Sequence, residues 1–215
     1  QRAEHFINAY LDRELNLRGL KIPAIENLAT LQDQFDVIDF SDNDIKKLDN
    51  FPHMQRLNAL IVNNNNVSRI GAGLSEHLPK LTTIVLTNNK ITHISEVEKL
   101  SCCSKLESLS LLDNPVALKP QYRLFVIHKI PSLKWLDFRK VQQSEREESA
   151  KFFKSPAGKA YAAAAAQEAK LLSEGGGTGG ATAPSLTDEQ KALVKRAIEQ
   201  ATSRDEIDNI ERQLK

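Results

Sequence analysis

One pattern, L-x-x-L-x-L-x-x-N-x-L, recurs along the first two thirds of the chain and leaves few folds open. Four copies are close to complete: Phe35, Ile38, Phe40, Asn43 and Ile45; Leu57, Leu60, Val62, Asn65 and Val67; Leu81, Ile84, Leu86, Asn89 and Ile91; Leu106, Leu109, Leu111, Asn114 and Val116. Their asparagines lie 22, 24 and 25 residues apart. A degenerate copy precedes them (Leu15, Leu17, Leu20, Ile22) and a truncated one follows (Leu133, Leu136, Phe138), so the array spans residues 14–138. Four registered matches sharing one period do not arise from composition alone. Each copy is too small to bury its apolar side, and only stacking against its neighbours builds a continuous core.

A period of about 20 to 29 residues with this consensus is that of leucine-rich repeats. The expected fold is α/β: a solenoid with a parallel concave sheet, a helical N-terminal cap and a closing C-terminal cap, followed by a helical extension. In each copy the L-x-L stretch forms a short strand with its leucines inward. Asn43, Asn65, Asn89 and Asn114 are read as a structural ladder, their amides satisfying backbone groups of the bend that a regular sheet does not reach. Both ends need covers. Phe6, Ile7, Tyr10 and Leu11 fall at helical spacing in front, while Tyr122, Phe125, Val126 and Ile130, between Pro120 and Pro131, form an apolar helical face behind.

Four segments follow: 1–140, the repeats with their caps; 141–173, a helical extension; 174–186, a glycine-rich flexible linker; and 187–215, a helical hairpin. Ser144-x-x-Glu147 reads as the capping box that opens the extension, and the run Ala162–Ala166 reads as a spacer helix. In the hairpin, Leu193, Val194, Ala197 and Ile198 share one helical side and Ile207, Ile210 and Leu214 another, which suits a docking element for a further protein. Position 1 is glutamine, so the native start is expected upstream.

Side chains between the inward leucines point out of the concave face, because a strand alternates. They align in three rows: Val37, Ala59, Thr83, Ser108, Trp135; then Asp39, Ile61, Val85, Ser110, Asp137; then Ser41, Asn63, Thr87, Leu112, Arg139, with Arg18 continuing the third row into the first repeat. Ile61, Val85 and Leu112 have no place in the core on this register, and clustered apolar exposure marks an interaction surface. Flanked by Asp39 on one side and by Asp137, Arg139 and Trp135 on the other, they make an apolar centre with a charged rim, suited to an amphipathic helix. The β-propensity of valine and isoleucine is the competing explanation. Trp135 reads equally as a rim aromatic or a buried closing residue.

The bulk numbers mostly exclude. With 29 basic and 28 acidic residues, a net charge of +1 provides no global field toward nucleic acid or membrane. No apolar run approaches the roughly 20 residues of a membrane span. The two cysteines, Cys102 and Cys103, are adjacent, which fits a reducing compartment. None of the five histidines sits at metal-ligand spacing, and no P-loop or nucleophile elbow occurs. Gly175, Gly177 and Gly180 match G-x-G-x-x-G, but without the strand before and helix after that a dinucleotide site needs. The chain reads as a non-enzyme with no cofactor and no metal.

Several blocks go beyond the generic repeat: Asp12-Arg13-Glu14-Leu15-Asn16-Leu17-Arg18-Gly19, Lys21-Ile22-Pro23, Phe35-Asp36-Val37-Ile38-Asp39-Phe40-Ser41-Asp42-Asn43, Asn114-Pro115-Val116, Tyr122-Arg123-Leu124 and Leu136-Asp137-Phe138. In these, residues 4–154 resemble the A-prime subunits of the U2 small nuclear ribonucleoprotein. The resemblance implies a nuclear, spliceosomal scaffold whose concave sheet grips a helix of an RNA-recognition-motif (RRM) protein, the B-double-prime subunit. It also implies that a U2 snRNA stem-loop is bound mainly through that partner. Further U2 proteins are the expected partners of the C-terminal helices. A leucine-rich-repeat adaptor of another nuclear or cytoskeletal complex is the alternative.

Overall fold

A computed structural model of the chain describes residues 4–31 and 33–174. The expected linker beyond residue 174 and the hairpin at 187–215 lie outside the described residues.

The inner sheet has eight strands: β1 (Glu4–Ile7), β2 (Arg13–Asn16), β3 (Val37–Asp39), β5 (Ala59–Ile61), β7 (Thr83–Val85), β8 (Ser108–Ser110), β9 (Trp135–Leu136) and β10 (Arg139–Lys140), adjacent in that order. From β2 to β9 all pairs are parallel, and an antiparallel strand closes each end. Two short strands of the return segments, β4 (Lys47–Leu48) and β6 (Arg69–Ile70), pair separately. Besides its inner strand β5, the interval of 22 residues between Asn43 and Asn65 holds only β4. The longer ones make room for helices α1 (Leu74–His77) and α2 (Ile94–Glu98). Ile38, Leu60, Ile84, Leu109 and Leu136, stacked strand on strand, are at most 1% exposed and form the spine of the core.

All four ladder asparagines are buried. Each ties its own bend to the repeat before it. The Asn89 amide donates to Leu86 O and Thr87 O of its own turn and to Val62 O of the preceding one, while its Oδ1 accepts the Val67 N–H at 3.0 Å. Asn43, Asn65 and Asn114 likewise reach back to Leu17 O, Phe40 O and Leu86 O and accept from Ile22, Ile45 and Ile91. The residue before each asparagine, Asp42, Asn64, Asn88 or Asp113, has φ between 54° and 59°. Only asparagine, aspartate or glycine adopts that left-handed conformation readily.

The helical N-terminal cap expected over Phe6, Ile7, Tyr10 and Leu11 is instead a hairpin: β1 lies antiparallel to β2. Its turn is held by Asn8, whose Oδ1 accepts the N–H groups of Tyr10 and Asp12. A helix would have left the outer N–H and C=O groups of β2 unpaired, whereas a strand satisfies them.

The closing end is built from three helices: α3 (Tyr122–Lys129), α4 (Gln143–Lys154) and α5 (Pro156–Glu174). The capping box of α4 lies two residues earlier than the sequence suggested, at Gln142 and Glu145, because Glu145 is also drawn to the Arg123 guanidinium. The alanine-rich helix is no spacer. α5 packs against α2 and α4, with Tyr161 donating to Pro120 O at 2.9 Å and Ala165 buried. Glu168 joins Lys119 Nζ (2.9 Å) and His93 Nδ1 (2.7 Å). Gly158 permits the close approach of α5 to α4, since a Cβ there would fall 2.0 Å from Phe152 O. The described residues up to Glu174 thus form one compact unit with the repeats.

Candidate docking surface

The sheet register places the outward side chains in rows. Val37, Ala59, Thr83, Ser108 and Trp135 are successive partners, as are Asn16, Asp39, Ile61, Val85 and Ser110. Ile61 and Val85 are half-buried neighbours, Leu112 is 38% exposed and Trp135 is 48% exposed. Asp39, Asn63 and Thr87 are half-buried on the same face. Asp39 Oδ1 accepts the Ser41 N–H at 2.7 Å, and Asn63 Oδ1 accepts the Thr87 N–H. Arg18 is exposed and paired with Asp42.

Five residues expected on this surface are used otherwise, the first being Val37, which is buried at 4% exposed although its row faces outward. Ser41 and Ser110 are only 3% exposed: their short side chains sink between neighbours, and Ser110 Oγ lies 3.0 Å from Thr87 Oγ1. Asp137 replaces the strand that a further repeat would have supplied. One carboxylate oxygen accepts the Leu111 N–H at 2.7 Å and the other the Tyr122 hydroxyl at 3.1 Å. Burial holds its pKa above the ordinary aspartate range and raises that of the Tyr122 hydroxyl as well. Arg139 does not continue the third row, because left-handed Asp137 and Phe138 reverse the chain and bring it opposite Leu136. It instead lines a cleft of about 740 Å³ with Leu112, Leu118 and Lys90.

The hairpin adds side chains that a helical reading concealed. Phe6 pairs with Glu14, which pairs with Val37, so the first row begins at an aromatic 45% exposed and ends at Trp135. The aromatic and β-branched pair Phe6-Ile7 followed by the turn-forming Asn8 was the available signal. A second ladder, exposed, also went unread: Asn88 Nδ2 donates to Asn64 Oδ1, Asn64 Nδ2 to Asp42 Oδ1, and Arg18 to the other Asp42 oxygen. The hydrogen bond from Asn64, aided by Arg18, keeps the Asp42 pKa low. Among the described residues no His, Cys, Asp and Glu group could hold a metal ion. Cys102 and Cys103 are both free thiols, and burial pushes Cys103 up to about 12.

A parallel sheet stacked on a buried asparagine ladder, with apolar side chains on its open face, defines a leucine-rich-repeat protein, and the leucine-rich-repeat family model matches residues 1–166. Three curated relatives narrow this. U2 small nuclear ribonucleoprotein A′ of Arabidopsis thaliana is 46% identical over 225 residues, covering 100% of this chain and 87% of its own. The Mus musculus protein of that name is 44% identical over 216 residues, with 98% and 83% covered, and that of Schizosaccharomyces pombe 38% over 222, with 97% and 92%. The chain belongs to the U2 small nuclear ribonucleoprotein A′ family. Among solved structures, the Drosophila melanogaster SNF/U2A′ complex matches with a TM-score of 0.73 and 49% identity over 74% of this chain and 92% of that one.

Proposed function

We propose that this protein is a non-catalytic, nuclear scaffold of the U2 small nuclear ribonucleoprotein. Its concave sheet holds a helix of an RRM partner of the B-double-prime type, and the pair recognises a U2 snRNA stem-loop during splicing. The observation that carries this reading is the adjacency of Ile61 and Val85, with Leu112 beyond, on the open face of the sheet. A fly relative forms a complex with SNF, which supports a protein partner for the same fold. In this division of labour the RRM reads loop bases by stacking and edge hydrogen bonds, while the sheet orients it. The near-zero net charge agrees with a secondary role for direct RNA contact.

The test is RNA binding with and without the partner. Full-length protein titrated into a labelled U2 stem-loop should bind weakly alone and tightly once the RRM protein is added. Equally tight binding by this chain alone contradicts the proposal.

A further inference from the structure

Of the eight prolines in the chain, only Pro156 follows a serine or threonine, and that dipeptide forms the elbow between α4 and α5. The proline dictates the local backbone. Its ring disfavours the helical region for the residue before it, and Ser155 is accordingly extended, with φ −71° and ψ 160°. Lys154, Pro156 and Ala157 are exposed, and Ser155 between them is half-buried. Its Oγ donates to Phe152 O at 2.6 Å and accepts the Gly158 N–H at 3.2 Å, so one hydroxyl bridges the end of α4 and the start of α5. Lysines flank the bend on both sides. Lys151 and Lys154 are in the last turn of α4, and Lys159, whose N–H donates to Ser155 O, is in the first turn of α5. All three are exposed, and none is in an ion pair among the described residues. The carboxylates of the two helices stand elsewhere: Glu145 and Glu168 are committed to Arg123 and to Lys119 and His93, while Glu147 and Glu148 lie before Lys151.

A protein kinase takes its acceptor segment in extended form, and a proline-directed kinase selects the residue after the acceptor for its ring and its missing N–H. We propose that Ser155 is a phosphoacceptor for a kinase of that class, and that the phosphoserine is held at the elbow by Lys151, Lys154 and Lys159. The γ-phosphoryl group of ATP is transferred to Oγ: the Oγ–P bond forms, the bond to the bridging oxygen of the departing ADP breaks, and the hydroxyl proton passes to the catalytic carboxylate of the kinase. That proton is the one Phe152 O now accepts. The product therefore gives up its tie to α4 and keeps oxygens for the Gly158 N–H and the lysine ammonium groups. A phosphate carrying about two negative charges cancels most of the charge of the lysines around it. The elbow thus becomes a reversible charge switch beside the closing end of the repeats, whichever partner the concave sheet holds.

The test is phosphorylation of the full, folded chain by a purified proline-directed kinase with radiolabelled ATP, followed by digestion and peptide mapping. One phosphate per chain is expected, on the peptide that contains Ser155. Ser155→Ala should abolish that label, Ser155→Thr should restore it, and Pro156→Ala, which keeps the hydroxyl, should cut it several-fold. Tyr161 and Glu168 still anchor α5 in all three variants, and circular dichroism checks that each is folded. Label that persists in Ser155→Ala, or that enters only after the chain is unfolded, overturns the assignment. Phosphorus NMR of the labelled chain tests the lysines. The second ionisation of the phosphoserine should fall below its usual value of about 6, and Lys154→Ala/Lys159→Ala should move it back up. A titration unshifted in the wild type, or identical in the lysine variant, overturns their part in holding the phosphate.

Discussion

The two ends of the repeat sheet meet the same problem with opposite means. At the closing end α3, α4 and α5 bury the last repeat under an aromatic nest in which Phe125 is fully buried, Phe153 is 8% exposed and Tyr161 packs alongside. At the hairpin end one thin strand satisfies the backbone of β2 and leaves Phe6, Ile7, Tyr10 and Leu11 largely in solvent, Tyr10 at 87%. A sheet edge needs hydrogen bonds, but an apolar cross-section needs area. The closing end supplies both. The hairpin supplies only the first, and its apolar side chains remain open to contact.

That asymmetry orders the expected effects of substitution. The largest belongs to Phe125→Ala, which empties the centre of the closing nest and should lower unfolding stability by about 3 to 5 kcal/mol in urea titration. A loss no greater than that of a hairpin variant would abolish the distinction between the ends. Next comes Asn89→Leu in the middle of the ladder. It leaves the Val67 N–H and the Val62 carbonyl without their partner, while Leu86 O keeps Asn114 and Thr87 O keeps the Asn64 N–H, at about 1 to 3 kcal/mol by the same measurement. Phe6→Ala, at the other extreme, should move stability by less than about 1 kcal/mol while weakening partner binding. Unchanged binding would restrict the docking surface to the repeats proper.

Acid sharpens the comparison within the closing end itself. Burial raises the pKa of Glu168, but its bonds to Lys119 and His93 outweigh that and hold it below the ordinary value of 4.5. A depressed folded value means that this contribution is complete above about pH 4.5 and is lost as pH falls through the lowered pKa. Asp137 is shifted the other way by burial, so its ionised form opposes folding, and acid relieves that opposition. Acidification should therefore free α5 before it disturbs the turn after β9. Hydrogen exchange followed across the acid range should show α5 amides losing protection first. Glu168→Gln should flatten the pH dependence of α5, and an α5 that loosens identically in that variant would assign its docking to Tyr161 and Ala165 instead.

Much of this architecture was legible because the repeat imposes its own register. Once Ile38, Leu60, Ile84 and Leu109 are set inward, alternation alone dictates that Ala59 faces Thr83 and that Ile61 faces Val85, as the strand pairing has it. Legibility stopped where the period ends. Phe6, Ile7, Tyr10 and Leu11 satisfy helical spacing as well as they satisfy a hairpin, and the deciding factor, the unpaired edge of β2, is a tertiary demand that no local window contains. Asp137 and Arg139 were misplaced for a related reason. Extrapolating the rows assumes that the chain keeps going, whereas two left-handed residues turn it back. The burial of Ser41 and Ser110 depends on the size of their neighbours, to which alternation is blind. α5 lacks a clear amphipathic signature because alanine is small enough to pack on either side, so its docking became visible only with Glu168 and Tyr161 in place.

The central claim is that the aliphatic strip on the open sheet is what the partner holds. Calorimetric titration of the RRM protein into the wild type and into Val85→Asp addresses it most directly. The account predicts that the heat of binding disappears in the variant while its unfolding free energy stays within about 1 kcal/mol of the wild type. A variant that binds with undiminished affinity would contradict it.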